Sequence, residues 1–427
     1  LDQGKLHGDF NIKKTAIDFK TEITMGKDDN ASKGFSSGEI IYAKGFNIKF
    51  DSDHFDLSNI KHLAGLKLEG AGAVHGSTTG NSAAATFEML LDTQNVFFEN
   101  FSLGNVSGIL EYDKGIMNFS NLNGKINNST YQGQVVVDLN QKHIKSQIEI
   151  PRFEINELLS VVSRRFIMPV EVSGLGRAKI NVDGPFQLGK LSYQLNAQMS
   201  HGSVVSEPFD ILDIKLESNS GEMHIEKLQM TKNQSLLNMT GISHPDGQID
   251  LKIIGNSLPL EESENVRKLG SQISGMLDVE TLLKGFILNP DVHVSGKIYD
   301  LSVEEQEFTD SQFQLTINQE QIKGDVELFG NQVKSTFQLP ISEKTPFALK
   351  IQANQWNYTT LATLIGGGKL LNDYQSSLTG DLDLHADSGG LWKSTGRGTI
   401  ENLLLQRGQL KLQNPQPMKL VMNHGLI

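Results

Sequence analysis

The chain of 427 residues contains no cysteine. This absence excludes disulfide bonds and metal sites built on thiolates. It is typical of an exported bacterial protein that avoids oxidative mispairing, because disulfides form and persist in oxidising compartments. Packing and hydrogen bonds must therefore stabilise the fold without covalent crosslinks.

Long apolar runs and an excess of basic residues are also missing. No run of about 18 apolar residues occurs, so the sequence predicts no helix that spans a bilayer. A formal net charge of −12 argues against nucleic acid as a partner, because such binding needs a basic surface. The start, LDQGKLHGDF, lacks the pattern of a signal peptide, and the end, VMNHGLI, looks cut within an element. We therefore expect an interior piece of a longer chain.

Aromatic residues are scarce, with only 2 tryptophans, whereas there are 41 glycines. Large aromatic anchors are therefore few, and many turns or bends are expected. A chain of this length exceeds what one hydrophobic core usually organises, so we expect several units or an array of repeats.

Strict alternation of apolar and polar residues is the main positive signal. In residues 191–200, LSYQLNAQMS, every second side chain is apolar. This period predicts β-strands with one dry face and one wet face. The side chains predicted to line the dry faces are Ile180, Val182, Leu191, Tyr193, Leu195, Ala197, Met199, Ile249, Leu251, Ile253, Val292, Val294, Phe313, Leu315, Ile317, Phe347, Leu349 and Ile351.

Helical patterns are few and short. Leucine and valine recur at roughly helical spacing over residues 155–166, 260–270 and 358–371. The last two segments run into glycine, a frequent end of a helix. We predict three short crossing helices within a protein built mostly of strands.

Glycine-containing strand starts recur about every 100 residues, at Gly70, Gly174, Gly275 and Gly380. The recurrence predicts a repeat of roughly five strands and one crossing helix. The predicted repeats are residues 65–168, 169–269 and 270–374, with partial repeats at 1–64 and 375–427.

Residues 173–184, SGLGRAKINVDG, resemble the start of a dinucleotide-binding loop. That fingerprint needs a third glycine and a following helix, and both are missing. GAGAVHG at 70–76 and IGGGKLL at 365–371 depart from phosphate-binding motifs in similar ways. Glycine within a strand marks a bulge, a bend or a close approach of backbone, so we interpret Gly174 and Gly176 as structural.

No catalytic or metal-binding arrangement stands out. Asp51, Asp53 and Asp56 lack the glycine and the terminal glutamate of a calcium loop, so we interpret them as a solvated acidic turn. Asp381 and Asp383 alternate with leucines and belong to the wet face of one strand. We expect no enzymatic activity, no cofactor and no metal site.

The apolar face of a sheet has to be covered. Two such faces could close on each other in a series of sandwich or barrel domains, and composition alone favours this common solution. Alternatively, one sheet could curl into a trough whose dry face takes up an apolar ligand. The absence of Pro/Ser linkers between repeats and the single short helix per repeat favour the trough.

Three segments carry a family resemblance from about residue 60 onward. These segments resemble the AsmA-like superfamily, in particular its TamB-like members. They are LLSVVSRRF with VSGLGRAKINVDG, then VRKLGSQISGMLDVETLLKGFILNPDVHVSG, and finally GTIENLLLQRGQLKLQNPQPMKLVMNHG. The positions that match the motifs of the superfamily are Leu282, Gly285, Asn289, Pro290, Gly296, Leu412, Asn414, Pro417 and Gly425.

The resemblance implies an all-β fold, an elongated repeating β-groove (β-taco) of curled, mostly antiparallel sheet. It implies a periplasmic protein held in the inner membrane by an anchor helix outside this sequence. It further implies a bridge-like carrier that holds phospholipid acyl chains in a continuous groove between inner and outer membrane, lined by the dry-face residues above. The partner expected from the resemblance is an outer-membrane barrel protein of the TamA/BamA type.

Two other functions remain open from the sequence. A passive structural rod would have closed cores and no mobile ligand. A periplasmic chaperone or assembly factor for outer-membrane barrels or autotransporters would offer strand edges to nascent chains by β-augmentation.

Overall fold

The computed structural model describes residues 4–25, 32–60, 68–81, 83–98, 101–157, 171–185, 190–270, 272–303, 306–342, 345–358, 374–388 and 391–423. Over these residues the protein is all-β, with 27 strands in one antiparallel sheet. Within the described pairings, β1 at one end pairs only with β2, and β27 at the other end pairs only with β25, so the sheet is open. The predicted fold class is confirmed.

The chain forms two compact units, which we describe separately. Unit 1 comprises Leu1–Val205 and Ile211–Met223, and unit 2 comprises Ser206–Asp210 and His224–Ile427. Two strands are divided between the units, namely β13 (Glu207–Asn219) and β14 (Glu222–Lys232).

In unit 1 each strand pairs with the next one along the chain, from β1 to β12. Its strands are β1 (Gly4–Ile12), β2 (Ala16–Met25), β3 (Ser32–Ile41), β4 (Gly45–Asp56), β5 (Leu68–Asn81), β6 (Ala84–Phe98), β7 (Phe101–Asp113), β8 (Ile116–Ile126), β9 (Ser129–Asp138), β10 (His143–Glu154), β11 (Val172–Pro185) and β12 (Ser192–Val204).

Unit 2 is also a meander, in which most strands pair with the next one along the chain. The exceptions are β18, which pairs with both β19 and β20, and β25, which pairs with both β26 and β27. Its strands are β15 (Ser235–Ser243), β16 (Gln248–Pro259), β17 (Ile273–Phe286), β18 (Asn289–Val303), β19 (Gln306–Phe308), β20 (Ser311–Ile317), β21 (Gln321–Leu328), β22 (Val333–Pro340), β23 (Phe347–Trp356), β24 (Gln375–Ala386), β25 (Thr395–Arg407), β26 (Leu410–Gln413) and β27 (Met418–Asn423).

Helices in the described residues are short. The α-helix α1 covers Glu264–Arg267, and 3-10 turns cover Leu57–Ile60, Leu260–Glu262 and Leu391–Lys393. The predicted helix at 260–270 is therefore present in a shorter form. No helix of the described residues has the length and hydropathy of a membrane-spanning segment.

The other two predicted helices fall mainly on residues that the structure leaves undescribed. Of the segment 155–166, residues 155–157 are helical and the others lie outside the described residues. The segment 358–371 lies outside them beyond its first residue.

The glycines at the predicted strand starts lie at β-bulges. Gly70, Gly174 and Gly275 are each the third residue of their strand, with φ of 127°, 146° and 143°, and the strand register shifts at each of them. Opposite each glycine, the partner strand carries a left-handed residue, either Asn95, His201 or Asp300. Only glycine adopts such positive φ without strain, and a bulge bends the sheet. The structural interpretation of Gly174 is confirmed.

Gly380 differs from these three glycines. It is the sixth residue of β24, and it lies at a register shift but has no positive φ. The predicted strand starts therefore have a common bulge geometry at three positions rather than four.

Long connections follow β4 and β10 in unit 1, at residues 57–67 and 155–171. In unit 2 they follow β16 and β23, at residues 260–272 and 357–374. Six described strands lie between the two long connections of unit 1, where the sequence predicted about five. The repeat boundaries themselves stay a prediction.

Candidate functional site

The predicted dry-face residues of unit 1 share one face of the sheet. Ile180 lies opposite Leu195, and Val182 lies opposite Tyr193. Directly opposite residues of an antiparallel pair point to the same face. Ala197 and Met199 follow on this face of β12, and Leu191 immediately precedes the strand. We call this surface the unit-1 apolar face.

The predicted residues of unit 2 also share one face. The register places Ile253 opposite Thr281 and Thr281 opposite Val294, which lies opposite Leu315. The same face continues through β23, where Leu349 lies opposite Leu384. The remaining predicted residues on this face, which we call the unit-2 apolar face, are Ile249, Leu251, Val292, Phe313, Ile317, Phe347 and Ile351.

Most of these side chains are only half-buried. Met199, Ile249 and Phe347 are the buried ones, with 1%, 5% and 4% of their surface exposed. All described strands belong to one sheet, so no second sheet exists among them to cover either face. The sandwich alternative is therefore wrong for the described residues, and both apolar faces keep exposed apolar surface.

Unit 1 contributes further apolar residues that the sequence analysis missed. They come from β4 to β9, and two of them, Phe87 and Tyr112, stack with ring centroids 4.8 Å apart. Alternating segments such as ATFEMLLD could have revealed these positions by the same period of two. The missed residues on the unit-1 apolar face include Phe50, Phe87, Met89, Leu110, Tyr112, Phe119 and Val135.

Aromatic rings on both faces lie over glycines of the neighbouring strand. In each case the aromatic residue and the glycine are direct cross-strand partners, and a Cβ at the glycine would collide with the ring. In this arrangement the aromatic ring shields the glycine backbone from solvent. The pairs are Phe50 with Gly76, Tyr131 with Gly124, Phe153 with Gly176, Phe313 with Gly296 and Phe337 with Gly324.

The opposite faces of the strands carry charged residues in cross-strand pairs. In unit 2, Lys252 Nζ lies 2.8 Å from Glu280 Oε2, and Lys350 Nζ lies 3.3 Å from Asp383 Oδ2. These pairs are solvent-exposed, so each contributes little to stability. Asp383 is engaged on the wet face as predicted, and nothing places it in a cleft with Asp381.

Two open clefts also lie on the polar faces. One, of about 640 Å³, lies in unit 1 beside Glu22, Lys49 and Asp51. The other, of about 520 Å³, lies in unit 2 beside Glu280 and Lys297. Charged side chains line both clefts together with apolar residues such as Phe35 in unit 1 and Ile254 in unit 2.

The interpretation of residues 51–56 as an acidic turn is wrong, because they form the last part of strand β4 and pair with β3 and β5. This pairing gives the segment a neighbour that the sequence could not show. His75 on β5 lies opposite Asp51 on β4, with His75 Nδ1 3.0 Å from Asp51 Oδ1. Ligand-type atoms of Asp51, Asp53 and His75 all lie within 4.8 Å of one another at the exposed surface. Asp56 instead accepts a hydrogen bond from the backbone N–H of Ser58.

A carboxylate fastens the long connection of unit 2 to the sheet. Glu207 Oε1 accepts hydrogen bonds from the Ser263 hydroxyl at 2.6 Å and from the Asn265 N–H at 2.7 Å. Its Oε2 accepts from the Glu264 N–H at 3.1 Å and lies 3.7 Å from Lys232 Nζ. Burial raises the pKa of Glu207, but these hydrogen bonds outweigh it and the pKa is lowered.

Unit 1 has a related contact with the roles reversed, because the carboxylate belongs to the long connection and the donors belong to the β8–β9 hairpin. Glu157 accepts hydrogen bonds from the Ser129 hydroxyl and from the Asn128 N–H. The hydrogen bond from Ser129 is the main cause of a lowered pKa at Glu157. In both units a carboxylate joins a long connection to the sheet.

Comparisons with known proteins leave the family open. No protein-family model, no curated protein and no solved structure matches this chain. The resemblance to the AsmA-like superfamily stays an interpretation of the sequence motifs.

Proposed function

We propose that this protein is a lipid carrier that holds phospholipid acyl chains against its apolar faces. The observation that carries the proposal is the half-buried, in-register row of apolar side chains on each unit, without a second described sheet to cover it. A sheet face of this kind needs an apolar occupant. Acyl chains supply one.

The energetics favour such an occupant. Each half-buried leucine, isoleucine or valine still exposes apolar surface, and covering it contributes about 25 cal/mol per Å². Phosphate-bearing head groups would stay in water at the strand ends, because burying an unpaired charge is costly. Chemistry on the lipid is not part of the proposal, and no cofactor or metal is needed for it.

The compartment and the partners rest on the sequence resemblance alone. We propose that the protein acts in the periplasm of a bacterial cell envelope, anchored in the inner membrane by a segment outside residues 1–427. Transport of phospholipid toward the outer membrane, with an outer-membrane barrel protein of the TamA/BamA type as partner, completes the proposal.

Mass spectrometry of an organic extract tests the proposal directly. The protein is purified without detergent, and the lipid in the extract is counted per protein. We expect phospholipid in a stoichiometric amount or more. Absence of lipid from the folded protein would overturn the carrier and support a passive rod. Bound outer-membrane polypeptide in place of lipid would support an assembly factor.

A further inference from the structure

Exposed apolar side chains line one edge of unit 2. We call this set the apolar rim; it consists of Phe286, Leu288, Ile341, Leu391 and Trp392. Leu288 is 83% exposed and Trp392 is 79% exposed, the two largest values among the large apolar side chains of the described residues. Phe286, Ile341 and Leu391 are exposed as well.

The strand order brings these side chains to the same edge. Phe286 and Leu288 belong to the β17–β18 hairpin, Ile341 to the β22–β23 connection, and Leu391 and Trp392 to the β24–β25 connection. In an antiparallel meander, alternate connections lie at the same ends of the strands. Neighbouring strands are about 4.8 Å apart, so the rim extends over roughly 30 Å.

The corresponding strand ends of unit 1 mix apolar and basic side chains. There, exposed apolar residues such as Ile12 and Tyr42 lie next to lysines of the hairpin loops at the ends of β1, β3, β7 and β9. These lysines are Lys13, Lys14, Lys44, Lys114 and Lys142. A row of exposed tryptophan, phenylalanine and leucine side chains is costly in water and marks an interaction surface.

We propose that the apolar rim inserts into the boundary between head groups and acyl chains of a phospholipid bilayer. A protein partner would need a contiguous, closely packed patch. The rim instead presents separate side chains on loop tips, each of which can enter a lipid layer alone. Tryptophan, phenylalanine and leucine are the side chains that anchor proteins at membrane interfaces.

The charges near the rim indicate which lipid head groups it prefers. Lys284, beside the β17–β18 hairpin, is already paired with Asp250 at 3.1 Å, and Lys393, next to Trp392, is the exposed basic residue among the described residues of the rim connections. The chain as a whole carries a net charge of −12. Attraction to anionic lipid therefore contributes little. Binding to a zwitterionic bilayer is expected, with weak dependence on salt.

The position of the rim indicates a role in lipid uptake. This role rests on the proposed function as a lipid carrier. Leu283 lies on the unit-2 apolar face, opposite Leu251 and Val292. Ile249, opposite Gly285, extends this face to the strand ends at the β17–β18 hairpin, whereas Phe286 points to the other face. An acyl chain leaving a bilayer at the rim would meet apolar side chains at once. The rim is then the place where lipid enters unit 2.

Vesicles of phosphatidylcholine test the rim. In a Trp356→Phe background Trp392 is the only tryptophan, and we expect a blue shift of its emission when vesicles are added. The variant Leu288→Ser/Trp392→Ser should bind vesicles at least tenfold more weakly in flotation assays. Leu269→Ser is the matched control, because Leu269 is 69% exposed but lies on the β16–β17 connection at the opposite edge; its binding should be unchanged.

Three results would overturn the rim as a bilayer anchor: no blue shift, equal loss in the control variant, or binding that requires phosphatidylserine and disappears in salt. Recruitment of a protein by the rim without vesicle binding would indicate a protein partner instead. If the purified wild type contains lipid but does not bind vesicles, the rim is not a bilayer anchor, and the proposed lipid carriage still stands. If the protein binds vesicles but contains no lipid, the proposed lipid carriage is wrong, and the rim still stands as a bilayer anchor.

Discussion

The ring of Phe337 on β22 lies over Gly324, its direct cross-strand partner on β21. A Cβ at Gly324 would come within 2.8 Å of the Phe337 Cε1 and of the Leu315 Cδ2. The three atoms nearest to that Cβ all belong to side chains, two of them to the Phe337 ring, so the ring position depends on the absence of a side chain at Gly324. The pair couples packing on the unit-2 apolar face to the register of two strands.

Replacing this glycine should destabilise the protein through the ring. We expect Gly324→Ala to lower the free energy of unfolding by about 1–3 kcal/mol, because the ring must leave its position. Phe337→Leu in the same chain should recover part of the loss, and denaturant unfolding of all four proteins of the cycle measures the coupling. Asp325→Ala, exposed on the polar face, serves as the control. Purely additive losses would show that the ring does not fill the space of the side chain.

Arginine on the unit-1 apolar face separates an open face from a closed core. Leu195 is half-buried, so an arginine there can keep its guanidinium hydrated, and Leu195→Arg should unfold near the temperature of the wild type. Met199 lies on the same face of the same strand with 1% exposure, and Met199→Arg should lose several kcal/mol. Thermal unfolding and lipid content are measured on both.

The corresponding substitution in unit 2 is Ile253→Arg, also at a half-buried position. We expect both tolerated variants to carry less bound phospholipid than the wild type. A collapse of stability in both would indicate covered faces. Full lipid content in both would show that lipid binds elsewhere.

The bulge glycines should respond alike to alanine. Gly174 and Gly275 have φ of 146° and 143°, which strains any residue with a Cβ. We expect Gly174→Ala and Gly275→Ala each to cost about 1–3 kcal/mol. Ser274→Ala, next to one of these glycines, should change stability little. Clearly different losses at the two glycines would show that the bulges are not equivalent.

Acid should weaken the anchoring of the connection in unit 2. The folded-state pKa of Glu207 is lowered, so its stabilisation is fully present above the unfolded-state pKa and is lost as pH falls through the folded-state pKa. We expect Glu207→Gln to be less stable than the wild type at neutral pH and to lose less stability on acidification. Denaturant midpoints across the acid range measure this difference. Parallel pH profiles of the two proteins would refute the role of the carboxylate.

The alternation of apolar and polar residues by itself determined which side chains share a face. Ile253 and Leu251 are two residues apart, and in any extended strand they point the same way whatever the strand pairs with. The short-range pattern therefore identified the strands, the dry-face residues and the wet-face position of Asp383. It could not locate the segments that bend, although glycine marked three of the bulges.

Only the tertiary structure decided what lies opposite each residue. A sandwich and an open sheet have the same alternation of apolar and polar residues, so the sequence could not distinguish between them. The pairing of Phe337 with Gly324 and the approach of His75 to Asp51 depend on strand register, a contact between residues distant in sequence. The apolar rim likewise arises because three separate connections meet at one edge, which no local pattern encodes.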